Sequence, residues 1–214
     1  GVQTCALPIC YKITLLRFIA TISIACCLQA VTGCSEAVPA ESPRPETPRL
    51  ISDRFAYPVG PGEYVTPARD KKDEWYDAQD FGENNHLGED WNKNSGGNTD
   101  CGEPVYAIAN GEITYAADAG PGWGNVVIIT HTLPDGTEVQ SLYGHLKAIE
   151  KTSGTIKFRE KVGTIGDGNG RYICHLHFEL REQHCPSWDM VFVGYSPVSY
   201  GWVDPSGFID SKRK

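Results

Sequence analysis

The stretch HLHFEL at positions 175–180 alternates polar and apolar residues without a break. A period of two belongs to a β-strand, whose successive side chains point to opposite faces. Leu176, Phe178 and Leu180 then share an apolar face that must find a core. His175, His177 and Glu179 share the other face. A single histidine in a strand is usually structural. Two of the chain's six histidines side by side on one face are different, because paired imidazoles suit a metal ion. The strand alone leaves the two readings balanced.

The surrounding sequence has the same character. From about residue 84, short β-branched and apolar runs alternate with turn residues. Residues 104–118 read as two strands around Asn110-Gly111, a hairpin signal, and residues 125–146 as two more turning at Asp135-Gly136. Residues 154–170 carry β-branched runs and a glycine-rich exit. Residues 70–80 could form a short helix ahead of the domain, and no long amphipathic helix is visible. The expected class is mainly β, an antiparallel sheet or sandwich core with few or no long helices.

The two ends differ from this body. Residues 1–10 include GVQTCALPI, which resembles a translated sequencing adapter, and are expected to be non-native or a truncated start. Lys12 and Arg17 then precede an apolar run, Phe18 to Val31, too short to span a bilayer comfortably but suited to a secretory leader. The run ends in VTGC. Residues 11–33 therefore read as a lipoprotein signal peptide, with Cys34 lipidated as the mature N-terminus. Ser35 in place of Asp points to the outer membrane, facing the periplasm, in a host with two membranes. Residues 34–50, rich in Pro, Glu and Ser, read as an extended tether, followed by a lead-in at 51–83. Removing Lys12 and Arg17 from the 19 basic residues leaves 17 against 27 acidic ones, a formal charge of −10. Such a balance argues against nucleic acid or an anionic membrane as partner. Of the eight cysteines, Cys101, Cys174 and Cys185 remain in the body. The last two flank the HLHFEL strand at a separation too great for a bridge, and no disulfide is assigned.

Two further stretches can partner the paired histidines. In HLGEDW, His86 and Asp90 lie four apart, a spacing that puts both on one face of a strand, and Gly88 and Trp91 favour a strand over a helix. A histidine with a carboxylate is half of a zinc site. In SLYGHL, His145 lies near the end of a strand.

In this order, HLGED, LYGHL and HLHFEL, with GEPVYAIANGEI and KVGTIGDGNG between them, resemble the lysostaphin-like (LytM-type) zinc metallopeptidases of bacterial cell walls. The resemblance covers about residues 84–182, with residues 183–214 left as a C-terminal extension. It implies one Zn²⁺ ion held by His86, Asp90 and His177, with His145 and His175 as the two catalytic histidines. It also implies an endopeptidase acting on peptidoglycan cross-links or stem peptides, which the leader and VTGC would export and hold at a membrane by lipid on Cys34. Some members instead regulate other wall hydrolases without catalysis. Spacing alone does not choose between His175 and His177 as ligand; the resemblance does. Three protein ligands leave a fourth position for water, and Glu179, one step further along the strand face, is expected either to support a ligand or to be structural. Some members carry a tyrosine six residues before the first zinc histidine, where this chain has Asp80. His131 and His184 match no catalytic position and are expected to be structural. Trp123, Tyr143 and Tyr172 are candidates to line the groove, with a core or surface role equally open for each.

Overall fold

The computed structural model describes residues 50–62 and 74–213. The adapter-like start, the leader, Cys34 and nearly all of the tether lie outside these residues. The described residues form ten strands: β1 (Trp75–Gln79), β2 (Glu89–Lys93), β3 (Pro104–Tyr106), β4 (Gly111–Asp118), β5 (Asn125–Thr132), β6 (Glu138–Ile149), β7 (Gly154–Ile156), β8 (Lys161–Ile165), β9 (Leu176–Glu182) and β10 (Trp202–Val203). All strand pairings are antiparallel, in the order β1-β2-β9-β6-β5-β4-β7. β10 adds to β9, and β8 bridges β6 and β3. A single α-helix, α1 (Pro205–Lys212), is found among the described residues; Asp204 caps it by accepting from Gly207 N, with Pro205 in its first turn. The mainly β class follows from the alternating patterns, as expected.

The sheet is buried on both faces where it matters. In β5 the residues Val127 and Ile129 join the main core with Trp91, Tyr143, Leu176 and Phe178. Their neighbours Val126 and Ile128 face the other way, against Leu142 and Val191. This is why NVVIIT reads as a continuous apolar run rather than an alternating one. The core also takes Phe55, Tyr57 and Val59 from the lead-in and Ile209 from α1. The packed unit thus extends past residues 84–182 on both sides.

β6 is the longest strand, at 12 residues, and changes partner along its length. Val139–Gly144 pair with β9, whereas Leu146–Ile149 pair with β8. His145 sits at the changeover with φ of 59°, a left-handed conformation rare outside glycine. The bend turns its imidazole out of the sheet's regular alternation.

Three sequence expectations are corrected. Trp75–Gln79, placed in a short helix, is strand β1, and its buried Trp75 and Asp77 alternate with more exposed neighbours. Residues 63–73 lie outside the described residues. Asn110-Gly111 does not turn a hairpin: β3 pairs with β8, and β4 with β5 and β7. Val105, Ala107, Ile108 and Ala109 are all fully buried, so this run dives through the core instead of forming a hairpin arm. Asn110 joins distant segments there, accepting from Phe158 N (2.9 Å) and Ser52 Oγ and donating to Ile51 O (2.9 Å). The turn at Asp135-Gly136 does connect β5 to β6, with Asp135 Oδ1 accepting from Thr137 N at 3.0 Å.

The third correction is a disulfide between Cys101 and Cys174, across 73 residues of sequence. It ties the loop after β2 to the entrance of β9. Asn98 Oδ1 accepts from Cys174 N, and Asn92 Nδ2 donates to Cys174 O, both at 3.0 Å. Cys185 is a buried free thiol. Disulfides typically contribute about 2–4 kcal/mol, more for long loops such as this one, by restricting the unfolded chain. Replacing both Cys101 and Cys174 by Ser should lower the melting temperature by several degrees and abolish its sensitivity to reductant. A double variant that melts with the parent in both conditions contradicts this.

Candidate metal centre and active site

β9 lies between β2 and β6, and its register puts His177 opposite Asp90 on one side and Gly144 on the other. The approach of β2 is close because position 88 has no side chain. A Cβ on Gly88 would fall 2.4 Å from Phe178 O and 2.9 Å from Glu179 Cγ. His86 precedes β2, at the end of a short 3-10 turn, Glu83–Asn85. Its backbone bridges to Tyr195, whose ring stacks on its imidazole at 4.8 Å.

The three expected ligands converge. His177 Nδ1 lies 3.0 Å from both His86 Nε2 and Asp90 Oδ1, and His86 Nε2 lies 3.4 Å from Asp90 Oδ1. Zinc bonds of about 2.0–2.1 Å place tetrahedral ligand atoms about 3.3 Å apart, so this donor triangle has the size a zinc ion needs. The other ring nitrogens fix the tautomers. His86 Nδ1 lies 3.3 Å from Gln79 O and His177 Nε2 lies 2.9 Å from Glu179 Oε1. Protons held on those outer nitrogens leave His86 Nε2 and His177 Nδ1 with lone pairs facing the centre.

Glu179 is itself enclosed. It accepts from Arg181 Nε (2.8 Å), Arg181 Nη2 (2.6 Å) and Trp202 Nε1 (2.8 Å). Arg181 in turn donates to Ser187 O at 2.7 Å and to Met190 O. Burial opposes charge on Glu179, but the Arg181 guanidinium and the His177 bond prevail and hold its pKa down at about 2. Burial likewise opposes charge on Asp90, yet the bonds to His177 and His86 keep it ionised far below the usual carboxylate range. Against burial, Asp90 and Glu179 raise His177 to about 9. A proton and a metal therefore compete for Nδ1.

His145 and His175 stand on the open side. Their rings meet edge to face at 4.7 Å, and His145 lies 5.5 Å from the His177 ring. His145 Nδ1 lies 3.2 Å from Trp123 O and His175 Nδ1 lies 2.8 Å from Ile173 O, so in both Nε2 is the nitrogen left for other partners. His175 Nε2 is 3.6 Å from Asp90 Oδ2. Burial pushes His145 down to about 3, and neighbouring histidines add to the shift, so its imidazole is neutral near pH 7. All five residues named from the sequence are thus in one site.

Other expectations resolve individually. Trp123 and Tyr172 do line the cleft with His145, His175 and His177. Tyr143 does not: it is fully buried, and its hydroxyl accepts from Ile108 N at 3.1 Å and Ser141 Oγ at 3.0 Å. His131 is a core residue, 2.7 Å from both Asn110 O and Ser141 Oγ, and His184 is a surface residue 3.4 Å from Glu182. The sequence reading did not single out Tyr195, Gln79 or Arg181. Arg181 was accessible, since it continues the His175, His177, Glu179 face by one more step of two. Tyr195 lies in an irregular segment with no period to place it. It brings a phenol to the cleft, its hydroxyl donating to Gln79 Oε1 at 2.8 Å, whereas Asp80 does not line the cleft.

The model of peptidase family M23 matches residues 85–188. The DD-carboxypeptidase/endopeptidase Mpg of Neisseria meningitidis is 38% identical over 113 residues, 53% of this chain but 25% of Mpg. The chain thus spans about a quarter of that relative's length. Lipoprotein NlpD of Yersinia enterocolitica is 35% identical over 81 residues, 37% of this chain and 78% of NlpD. Among solved structures, lysostaphin from Staphylococcus simulans aligns with a TM-score of 0.42 at 24% identity, covering 59% of this chain and 45% of lysostaphin. With its three motifs gathered in one cleft, the chain belongs to peptidase family M23.

Proposed function

We propose that this protein is a zinc-dependent endopeptidase that hydrolyses peptide bonds in peptidoglycan. The observation that carries the reading is the triangle of His86, Asp90 and His177 donor atoms opening towards two further imidazoles. Two neutral histidines and one carboxylate are a donor set suited to zinc and leave the centre a net charge near +1. Zinc bound there would supply a water ionising near neutral pH and a Lewis acid for the scissile carbonyl.

The protein's own groups supply the rest. His145 is neutral and has its Nδ1–H directed at Trp123 O, so Nε2 can take a proton. His175 stands at the rim beside Tyr172, with Nε2 directed into the cleft, where it can bond the developing oxyanion or protonate the leaving amine. Trp123, Tyr172 and Tyr195 form walls against which a peptide backbone can lie.

We also place the mature protein outside the cytoplasm, lipid-anchored through Cys34. The VTGC stretch and the similarity to a lipoprotein relative support this. Cys34→Ala should move the protein from the membrane to the soluble fraction; unchanged membrane association, followed by fractionation and immunoblotting, would refute the anchor.

The division between ligands and catalytic groups can be measured. His177→Ala should lose zinc, read by elemental mass spectrometry. His145→Ala and His175→Ala should keep it and lose about 10²–10⁴-fold in release of peptides from purified peptidoglycan. Equal zinc loss in all three variants would overturn the assignment. Zinc-loaded protein that leaves peptidoglycan intact would indicate a regulator of other wall hydrolases.

Glu179→Gln tests the support behind His177. It should weaken zinc binding by about 10–100-fold in a competition titration. It should also lower thermal stability, because Arg181 loses its buried counter-charge. Unchanged zinc affinity would show that Glu179 serves only Arg181.

A further inference from the structure

A second set of ligand atoms lies beside the first. Asp77 in β1, Asp80 just after it and Glu89 at the start of β2 each bring a carboxylate oxygen to within 4.8 Å of the others. Glu89 and Asp90 are consecutive in β2 and point to opposite faces, so the two sites are separate. Glu89 is fully buried, Asp77 is 8% exposed, and Asp80 opens to solvent.

The cluster is short of positive charge and of donors. Among the described residues, none of the three acids is paired with Lys or Arg. Glu89 is partly satisfied: Oε1 accepts from Ser206 N at 2.9 Å, and Oε2 from Ser206 Oγ at 2.9 Å and Trp91 Nε1 at 3.2 Å. Asp77 Oδ1 accepts from Gln79 N at 3.1 Å, but Oδ2 is buried and has no hydrogen-bond partner. Burial, Glu89 and Asp80 push Asp77 up to about 9, so near neutral pH its carboxyl needs either a proton shared with Asp80 or a cation between the oxygens.

We propose that Asp77, Asp80 and Glu89 hold a calcium ion, distinct from the His86–Asp90–His177 centre. An all-oxygen, all-carboxylate set suits a hard cation rather than zinc. Three protein carboxylates suit calcium, which takes about six to eight oxygen ligands, over magnesium, which usually keeps several waters and binds through one or two carboxylates. The open side at Asp80 leaves room for the waters that complete calcium's coordination. The ion joins the end of β1 to the start of β2. It braces the turn that carries His86, since Gln79 caps Asp77 through its N–H while its carbonyl meets His86 Nδ1. Through Ser206, Glu89 links the same ion to the N-terminus of α1.

The test uses the full chain with one equivalent of zinc and needs no activity assay. Tb³⁺ added to this protein should show emission on tryptophan excitation, because Trp91 bonds Glu89 directly. The emission should saturate at one ion per chain and be displaced by Ca²⁺ at about millimolar concentration, the range of extracellular sites. Ca²⁺ should also raise the melting temperature by a few degrees. Asp80→Asn, at an exposed position, should abolish both responses and keep the zinc. No Tb³⁺ emission together with no Ca²⁺ shift in the parent would overturn the proposal. So would responses unchanged in Asp80→Asn, which would put the ion elsewhere. A melting temperature that rises on acidification without responding to Ca²⁺ would show a shared proton in the ion's place.

Discussion

The buried carboxylate of Glu179 is the contact on which the site depends. It accepts one bond from His177, two from Arg181 and one from Trp202, all within the protein interior. An isolated buried charge would be strongly destabilising, and this one is stable because every partner is in place. Each partner comes with its own requirements. Arg181 needs the carbonyls of Ser187 and Met190, and Trp202 needs β10 beside β9. Residues after 182 therefore belong to the candidate metal centre, because they supply the groups that let Glu179 stay charged behind His177.

Backbone closeness is the second requirement. His177 reaches its partners because β2 and β6 flank β9 tightly, and Gly88 permits the approach on the β2 side. The spacing of His86 and Asp90 is then not that of one regular strand. Asp90 sits in β2, whereas His86 is delivered by the preceding turn and held by its bridge to Tyr195. Two different local structures place their donor atoms 3.4 Å apart.

Legibility in the sequence followed the same physics. The alternation of HLHFEL placed Leu176 and Phe178 in the core and His177 with Glu179 on the other face, because period two is a local property of strands. The Asp135-Gly136 hairpin was legible for the same reason: turn chemistry acts over a few residues. What failed was long-range. Cys101 and Cys174 are 73 residues apart, and nothing local marks them as partners. Asn110-Gly111 has the composition of a hairpin turn, but its neighbours are claimed by the core and its side chain by Phe158 and Ile51. Tyr143 stands two before His145, and its sequence left groove, core and surface open. The bend at His145 puts the two on different sides, one in the core and one in the cleft.

That bend, and the start of β9, give similar histidines different surroundings. His177 lies inside β9 with a strand on each side, and both its nitrogens are engaged, one by Glu179 and one by the ligand cluster. His175 lies one residue before β9, joined to Gly166 by an isolated bridge, and its Nδ1 turns back to Ile173 O. His145 occupies the partner change in β6 and its Nδ1 meets Trp123 O. A histidine enclosed by two strands can be held rigidly enough to bind a metal. A histidine at a strand's end or bend keeps one nitrogen tied and offers the other to a substrate. The two-residue spacing of HLH works because the strand begins between its members.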